Sequence, residues 1–158
     1  ATSLTRQLYS TDITTGETKP MFSPDATEQQ EYSLEEQMRR ERARMMATGV
    51  TSYQWCAATA TMLIPLGGAL WILEDDGAPR KLIETNTDPN DESSLPLNAP
   101  LLDAKISSDG STVAFVAGNE VYTMSTTLSS GDAAAAATQI TSGARDVDGQ
   151  SNGVADYV

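Results

Sequence analysis

Histidine is absent from this sequence of 158 residues, and cysteine occurs once, as Cys56. Without imidazole, the chain cannot form a Ser-His-Asp or Cys-His relay from its own residues, nor bind a metal through histidine. A single cysteine excludes an internal disulfide, which favours the cytoplasm, while a periplasmic or secreted location stays open. We therefore predict no catalytic, substrate-binding or metal-binding residue and no cofactor in this chain.

Basic residues are also scarce, with 10 Lys and Arg against 22 Asp and Glu, for a net charge of −12. This charge opposes binding to nucleic-acid phosphates and to anionic membrane surfaces. The longest apolar run, Met62–Leu73, is interrupted by Pro65, Gly67 and Gly68. It is shorter than the roughly 18 apolar residues of a membrane span. Neither nucleic acid nor a membrane is predicted as a partner.

The first third of the chain carries turn and helix signals rather than a dense apolar pattern. Residues 1–32 are mostly polar and contain a turn signal at Thr15-Gly16, which predicts an irregular arm on a surface. Residues 33–47 predict one α-helix, because Ser33 and Glu36 form a capping box at its start. A glycine shortly after it, Gly49, is typical of a helix end.

Three short motifs could have a catalytic or ligand-binding role, but a structural role is favoured for each. Cys56 has no nearby base in the sequence, so a buried inert thiol is favoured over a nucleophile. The segment Asp146–Gly149 lacks the later acidic ligands of a calcium loop and is interpreted as an acidic turn. Gly67-Gly68 has no following helix or lysine, which favours a hairpin turn over a phosphate loop.

An internal repeat supplies the main evidence for the fold. An offset of 51 residues, from Gly67 to Gly118, aligns residues 55–73 with 106–124 without a gap. Thr61 and Thr112 also coincide, and the apolar positions match in class and spacing. Each copy predicts three strands joined by turns, and a fourth strand is predicted to follow at 81–83 and at 138–141.

Four strands recurring at about 50 residues is the period of propeller blades. We therefore predict an all-β fold: a partial β-propeller over 48–158, with blade-like repeats at about 50–100 and 101–142 and the start of the next. Two unrelated hairpins in a β-sandwich stay open as an alternative. Because propellers typically need about four to eight blades, we expect further blades to come from outside these residues.

The second copy contains ISSDGSTVAFV at residues 106–116 and NEVY at 119–122. It resembles the S-P-D-G-x-x-V-A-F-V…N-x-L-Y blade motif of prolyl-oligopeptidase-type peptidases, which TolB-like propellers share. Residues 139–158, with QIT and NGVADYV, resemble the Q-L-T…N-G-x-A-D-W/Y-V segment of the dipeptidyl peptidase IV family. Residues 32–55 are similar to the region that leads into the propeller in the dipeptidyl peptidase eight and nine branch and its bacterial relatives. Ser108 departs from the motif, which has proline there.

The resemblance implies a parent serine peptidase that releases N-terminal X-Pro or X-Ala dipeptides through an α/β-hydrolase domain. The propeller of such an enzyme caps and gates that domain. A glutamate pair, which in that family follows shortly after the segment matched by residues 139–158, holds the substrate's ammonium group. The implied partners are the remaining blades, the hydrolase domain and a peptide substrate, and a homodimer stays open. The rival hypothesis is a non-enzymatic propeller scaffold of the TolB or WD type that binds proteins.

Overall fold

The computed structural model describes residues 5–22, 48–74, 77–90, 95–128 and 137–154, and this part of the chain is nearly all β. Its only helical element is a single 3-10 turn, Ala144–Asp146. The α-helix predicted at 33–47 lies outside the described residues. None of the helices in the described ranges could cross a membrane. The chain divides into two compact units, residues 1–53 and 54–158.

The described residues of the N-terminal unit form four short strands: β1 (Thr5–Arg6), β2 (Leu8–Thr11), β3 (Thr18–Phe22) and β4 (Thr48–Gly49). Strands β2 and β3 form an antiparallel hairpin, and β1 pairs with β4 in parallel. Asp12 shapes the hairpin turn, since its carboxylate accepts hydrogen bonds from the backbone N–H groups of Thr14 and Thr15. The turn at Thr15-Gly16 is thus confirmed, and the structure adds strands to the arm that the sequence predicts as irregular.

The larger unit consists of two four-stranded antiparallel sheets, each a simple meander. The first sheet contains β5 (Gln54–Cys56), β6 (Thr61–Leu66), β7 (Ala69–Glu74) and β8 (Arg80–Glu84). The second contains β9 (Leu102–Ile106), β10 (Thr112–Ala117), β11 (Glu120–Ser125) and β12 (Thr138–Gln139). Both central strands of the second sheet begin and end 51 residues after their counterparts, as the repeat predicts.

The same tight turn joins the central strands of each sheet. Leu66 pairs with Ala69 across Gly67-Gly68, whose φ angles are 64° and 71°. In the second sheet the two turn residues are Gly118 and Asn119, with φ angles of 53° and 66°. Two-residue hairpins of type I′ need positive φ at both positions, which glycine and asparagine tolerate. The hairpin turn predicted at Gly67-Gly68 is confirmed.

The two sheets pack face to face around one apolar core. From the first sheet this core takes Leu63, Leu70 and Ile72, which project from the side that we call the front face. The second sheet contributes the side that we call its back face, where the rings of Phe115 and Tyr122 stack with centroids 5.8 Å apart. The other core residues from β9 to β12 are Ala104, Val113, Ala117, Met124 and Ala137.

Equivalent residues of the two sheets point in the same direction along the stack. Leu63 faces the second sheet, whereas its counterpart 51 residues later, Ala114, lies on the side of the second sheet away from the core. Conversely, Phe115 faces the core, and its counterpart Ile64 lies on the opposite side of the first sheet from Leu63. In a sandwich of two mirrored sheets, equivalent residues would face each other. The fold is therefore like part of a β-propeller, in which successive sheets repeat with one orientation.

Candidate functional site

Among the described residues of the larger unit, polar side chains that could carry function gather at three places: the first-strand edge, the β10–β11 hairpin and the Asp109 turn. At the first-strand edge, the Gln54 side chain bridges the two sheets. Its Nε2 donates to the carbonyl oxygen of Ala104 at 2.9 Å, and its Oε1 accepts from the N–H of Ile106 at 3.1 Å. One side-chain amide thus pairs with two backbone groups of β9, as a neighbouring strand would.

Cys56 lies at the same edge and is buried, as the sequence predicts. Its thiol donates to the carbonyl oxygen of Ser108 at 3.3 Å, which adds a second link between the sheets. A hydrogen bond from the Thr59 hydroxyl lowers the pKa of the Cys56 thiol. Burial and the charge of Asp109 oppose this lowering only in part. We interpret Cys56 as an inter-sheet contact.

Glu120, at the start of β11, is a carboxylate with only 1% of its surface exposed. Its oxygens accept hydrogen bonds from the Thr141 hydroxyl at 2.6 Å, the Ala144 N–H at 2.7 Å and the Asn152 amide at 2.9 Å. The bond from Thr141 is the main cause that lowers the pKa of Glu120, and those from Asn152 and Ala144 add to it. Because its partners span residues 141–152, Glu120 fastens that segment to the hairpin.

Arg145 joins the same network from the outside. Its Nε donates to the carbonyl oxygen of Gly118 at 3.0 Å, and its guanidinium also donates to the hydroxyl of Tyr122. Tyr122 in turn donates to the side-chain oxygen of Gln139 at 3.0 Å. Since the donors and acceptors around Glu120 are paired with each other, this cluster holds the fold together rather than offering a free acid or base.

The third cluster is the turn between β9 and β10. The Asp109 carboxylate accepts from the hydroxyls of Ser107 at 2.6 Å and Ser111 at 2.9 Å, and from the Ser111 N–H at 3.0 Å. These bonds, the one from Ser107 first, lower the pKa of Asp109 to about 2. Gly110 completes the turn with a φ of 74°. The S-S-D-G segment noted in the sequence therefore builds a turn that is stabilised by its own aspartate.

The remaining sequence motifs stay apart from these clusters. Asp146 ends the 3-10 turn and Asp148 precedes Gly149, whose φ of 76° marks a turn, in agreement with the acidic turn predicted there. Within the ranges that the structure describes, no three or more Cys, Asp or Glu side chains group as metal ligands. In the same ranges, no buried side-chain nitrogen or oxygen lacks a hydrogen-bond partner.

A surface rather than a cleft is the remaining candidate for function. The front face of the second sheet bears an apolar row on its first three strands and just past the fourth, namely Leu102, Val116, Val121 and Ile140. The backbone N–H of Ile140 donates to the carbonyl oxygen of Val121 at 2.7 Å, so the row continues past the end of β12. Ile140 is 58% exposed, but Val116 is only 3% exposed. Gly153 lies against Val116 and Val121, so the middle of the row is already covered by the chain itself. Sequence reasoning missed this row because only strand register brings its members together.

Comparison with known proteins adds no family to this description. No protein-family model matches the chain, and no curated protein matches it significantly.

Proposed function

We propose that this chain is the N-terminal, non-catalytic part of the propeller of a dipeptidyl-peptidase-IV-like serine exopeptidase. The parent enzyme releases N-terminal X-Pro or X-Ala dipeptides, and the propeller caps and gates its hydrolase active site. The proposal rests on the resemblance of residues 106–122 and 139–158 to that family. It includes a cytoplasmic location and a parent that works alone or as a homodimer.

The observation that carries the proposal furthest is the common orientation of the two sheets. Each sheet presents its front face toward the position of the next sheet, so the arrangement extends by addition of further sheets until a ring closes. The motif residues also have the positions that a blade requires. Asp109 forms the turn before β10, while Phe115 and Tyr122 stack in the inter-sheet core.

The chemistry of such an enzyme would come from groups outside these residues, because the sequence has no histidine. The chain's own contribution would be to join the two sheets through Gln54 and to fasten residues 141–152 to the second sheet through Glu120. A propeller that restricts access to a hydrolase site admits short or extended peptides and excludes folded proteins. The partners proposed are therefore the remaining blades, the hydrolase domain and a peptide with a free amino terminus.

The test uses the native protein, isolated from its source cells with antibodies raised against this chain. The isolate should release dipeptides from Ala-Pro and Gly-Pro chromogenic substrates and should react with a fluorophosphonate serine probe. The recombinant chain alone should do neither, and this is the matched control. Native material that lacks both activities would contradict the peptidase proposal.

A non-enzymatic scaffold is the second candidate, favoured by the absence of an unpaired polar group at the three clusters of the described residues. Such a scaffold would bind proteins on the rim of its propeller. In the experiment above it would bring down partner proteins reproducibly, with no probe-reactive serine in its own polypeptide. Reaction of the native polypeptide with the serine probe therefore distinguishes the two candidates.

A further inference from the structure

One asparagine of the sequence is followed by glycine, at Asn152-Gly153, whereas the others precede larger residues. In an Asn-Gly pair the glycine has no side chain to hinder its backbone nitrogen, so this nitrogen can reach the side-chain carbonyl carbon of the asparagine. The succinimide ring that forms is the first step of deamidation, which makes asparagine one of the less durable residues of proteins. Asn152 therefore has the sequence context in which this reaction is fastest.

Asn152 lies at the end of the segment that Glu120 fastens to the second sheet. Its side-chain amide nitrogen donates to the buried Glu120 carboxylate at 2.9 Å, and its backbone N–H donates to the carbonyl oxygen of Asn119 at 2.9 Å. The bond to Glu120 holds the nitrogen that deamidation expels. Ring closure requires the side chain to turn toward the backbone of Gly153, which this bond resists. The docked segment therefore protects Asn152, and local opening of the segment permits the reaction.

The fold requires the glycine that makes Asn152 reactive. Gly153 has a φ of 77°, and a Cβ atom there would come within 2.6 Å of Val121 and 2.9 Å of Val116. A larger residue, which would slow ring closure, is therefore excluded at this position. Gly153 is also exposed, so water reaches the peptide bond that reacts. The same close contact that seats this segment on the sheet thus retains the reactive pair.

We propose that Asn152 is a site of spontaneous deamidation, and that its conversion to a carboxylate releases residues 141–152 from the second sheet. The backbone nitrogen of Gly153 loses its proton and bonds to the side-chain carbonyl carbon of Asn152, and the side-chain nitrogen leaves as ammonia. Water then opens the ring at either carbonyl, which gives aspartate or isoaspartate. The reaction needs only water, and it is independent of the proposed peptidase.

The product reverses the electrostatics at Glu120. The amide nitrogen that lies 2.9 Å from the Glu120 carboxylate is replaced by an ionised oxygen, which can only accept. Two like charges at such a distance repel each other, and burial strengthens the repulsion. Arg145, the basic residue of this network, already donates to the Gly118 carbonyl and the Tyr122 hydroxyl. The segment therefore docks poorly after the reaction, and an opening that leads to deamidation becomes permanent.

Ageing of the recombinant chain at mildly alkaline pH tests the reaction. Mass spectrometry follows the tryptic peptide that begins at Asp146, in which Asn152 is the only asparagine. This peptide should gain the mass that accompanies replacement of NH2 by OH, as a mixture of aspartate and isoaspartate. Asn98, which is exposed and precedes Ala99, is the control in the same sample and should stay intact much longer. Glu120→Ala should accelerate the reaction at Asn152 only. Equal rates at the two asparagines would overturn the proposal.

The release step is tested by limited trypsin digestion of folded variants. Asn152→Asp installs the product, and trypsin should then cut after Arg145 about tenfold faster than in wild type, because the segment opens more often. Asn152→Ser removes the amide without adding a charge and should be cut more slowly than Asn152→Asp. Combination of Asn152→Asp with Glu120→Gln restores one amide and one carboxylate in exchanged positions, so the cleavage rate should return most of the way to wild type. A double variant cut as fast as Asn152→Asp, or Asn152→Asp cut as slowly as wild type, would contradict release by charge.

Discussion

The two sheets of the larger unit have matching central strands and matching hairpin turns. They differ in the residues that attach each sheet to neighbouring parts of the chain. At the hairpin, Ala69 of the first sheet corresponds to the buried Glu120 of the second. At the first strand, Gln54, which bridges the sheets, corresponds to Lys105, whose side chain is 60% exposed. The repeat thus determines the sheet itself, while single polar substitutions determine how each sheet is attached to its neighbours.

The largest expected effect comes from the core between the sheets. Phe115→Ala removes a side chain that is 1% exposed and stacked on Tyr122, so it should lower the free energy of unfolding by about 3–5 kcal/mol. Chemical denaturation of the recombinant chain measures this loss. Thr123→Ala, on the opposite face of the same sheet, is the control and should cost less than about 1 kcal/mol. Similar losses for the two variants would argue against the assignment of front and back faces.

The next largest effect is expected for a substitution that makes the second hairpin like the first. Glu120→Ala gives β11 the residue that β7 has at this position, and it leaves the donors of Thr141, Ala144 and Asn152 without their acceptor. We expect the melting temperature to fall by several degrees, because buried donors are costly when unpaired. Trypsin should also cut after Arg145 much faster, since the segment around it would open locally.

Two further variants are controls for the Glu120→Ala experiment. Glu84→Gln removes an exposed acid whose ion pair with Lys81 lies on the surface, and it should change neither the melting temperature nor the cleavage rate appreciably. Glu120→Gln retains one acceptor oxygen and should fall between wild type and Glu120→Ala. If Arg145 were cut equally fast in all variants, Glu120 would not fasten residues 141–152.

The third prediction exchanges the residues at the first-strand edge. Gln54→Lys gives the first sheet the residue of the second, and it removes the acceptor for the N–H of Ile106. A backbone donor without a partner should cost about 1–2 kcal/mol of unfolding free energy. The reciprocal change, Lys105→Gln, lies on an exposed edge and should stay within about 0.5 kcal/mol. Equal effects in both directions would mean that Gln54 does not join the sheets.

Features of the fold and of the candidate site could be predicted from the sequence when the residues that determine them lie close together in the chain. The central strands are specified by apolar spacing and by Gly67 and Gly118, and their predicted alignment agrees with the structure. The roles of Gln54 and Glu120 could not be predicted, because their partners lie up to about 50 residues away and a polar residue in a strand ordinarily faces solvent. One sign was available: Glu120 aligns with Ala69, an apolar position.

The N-terminal hairpin shows the opposite case, in which a turn was visible but its strands were not. Thr15-Gly16 carries a turn signal, yet the flanking residues 8–11 and 18–22 are mostly polar and exposed. Strand prediction depends on alternation between a buried and an exposed face, which these residues do not show. The hairpin is specified instead by Asp12, whose carboxylate closes the turn through local hydrogen bonds.

The smallest expected effect concerns the Asp109 turn. The first sheet has only alanine and threonine at the equivalent residues 57–60, so this turn should make the stability of the second sheet alone depend on pH. The pKa of Asp109 is lowered from 3.8 to about 2 by hydrogen bonds that favour its charged form. Its contribution is therefore complete above about pH 5, where the carboxylate is ionised in both states, and is lost as the pH falls through about 2. Asp109→Asn should melt a few degrees below wild type at pH 6, and the difference should shrink steadily between pH 4 and about 2. Because Asp109 is exposed, solvent screening keeps the effect small. Thermal melts of both proteins over that range measure it, and a difference that stays constant with pH would show that the turn is held by its backbone geometry alone.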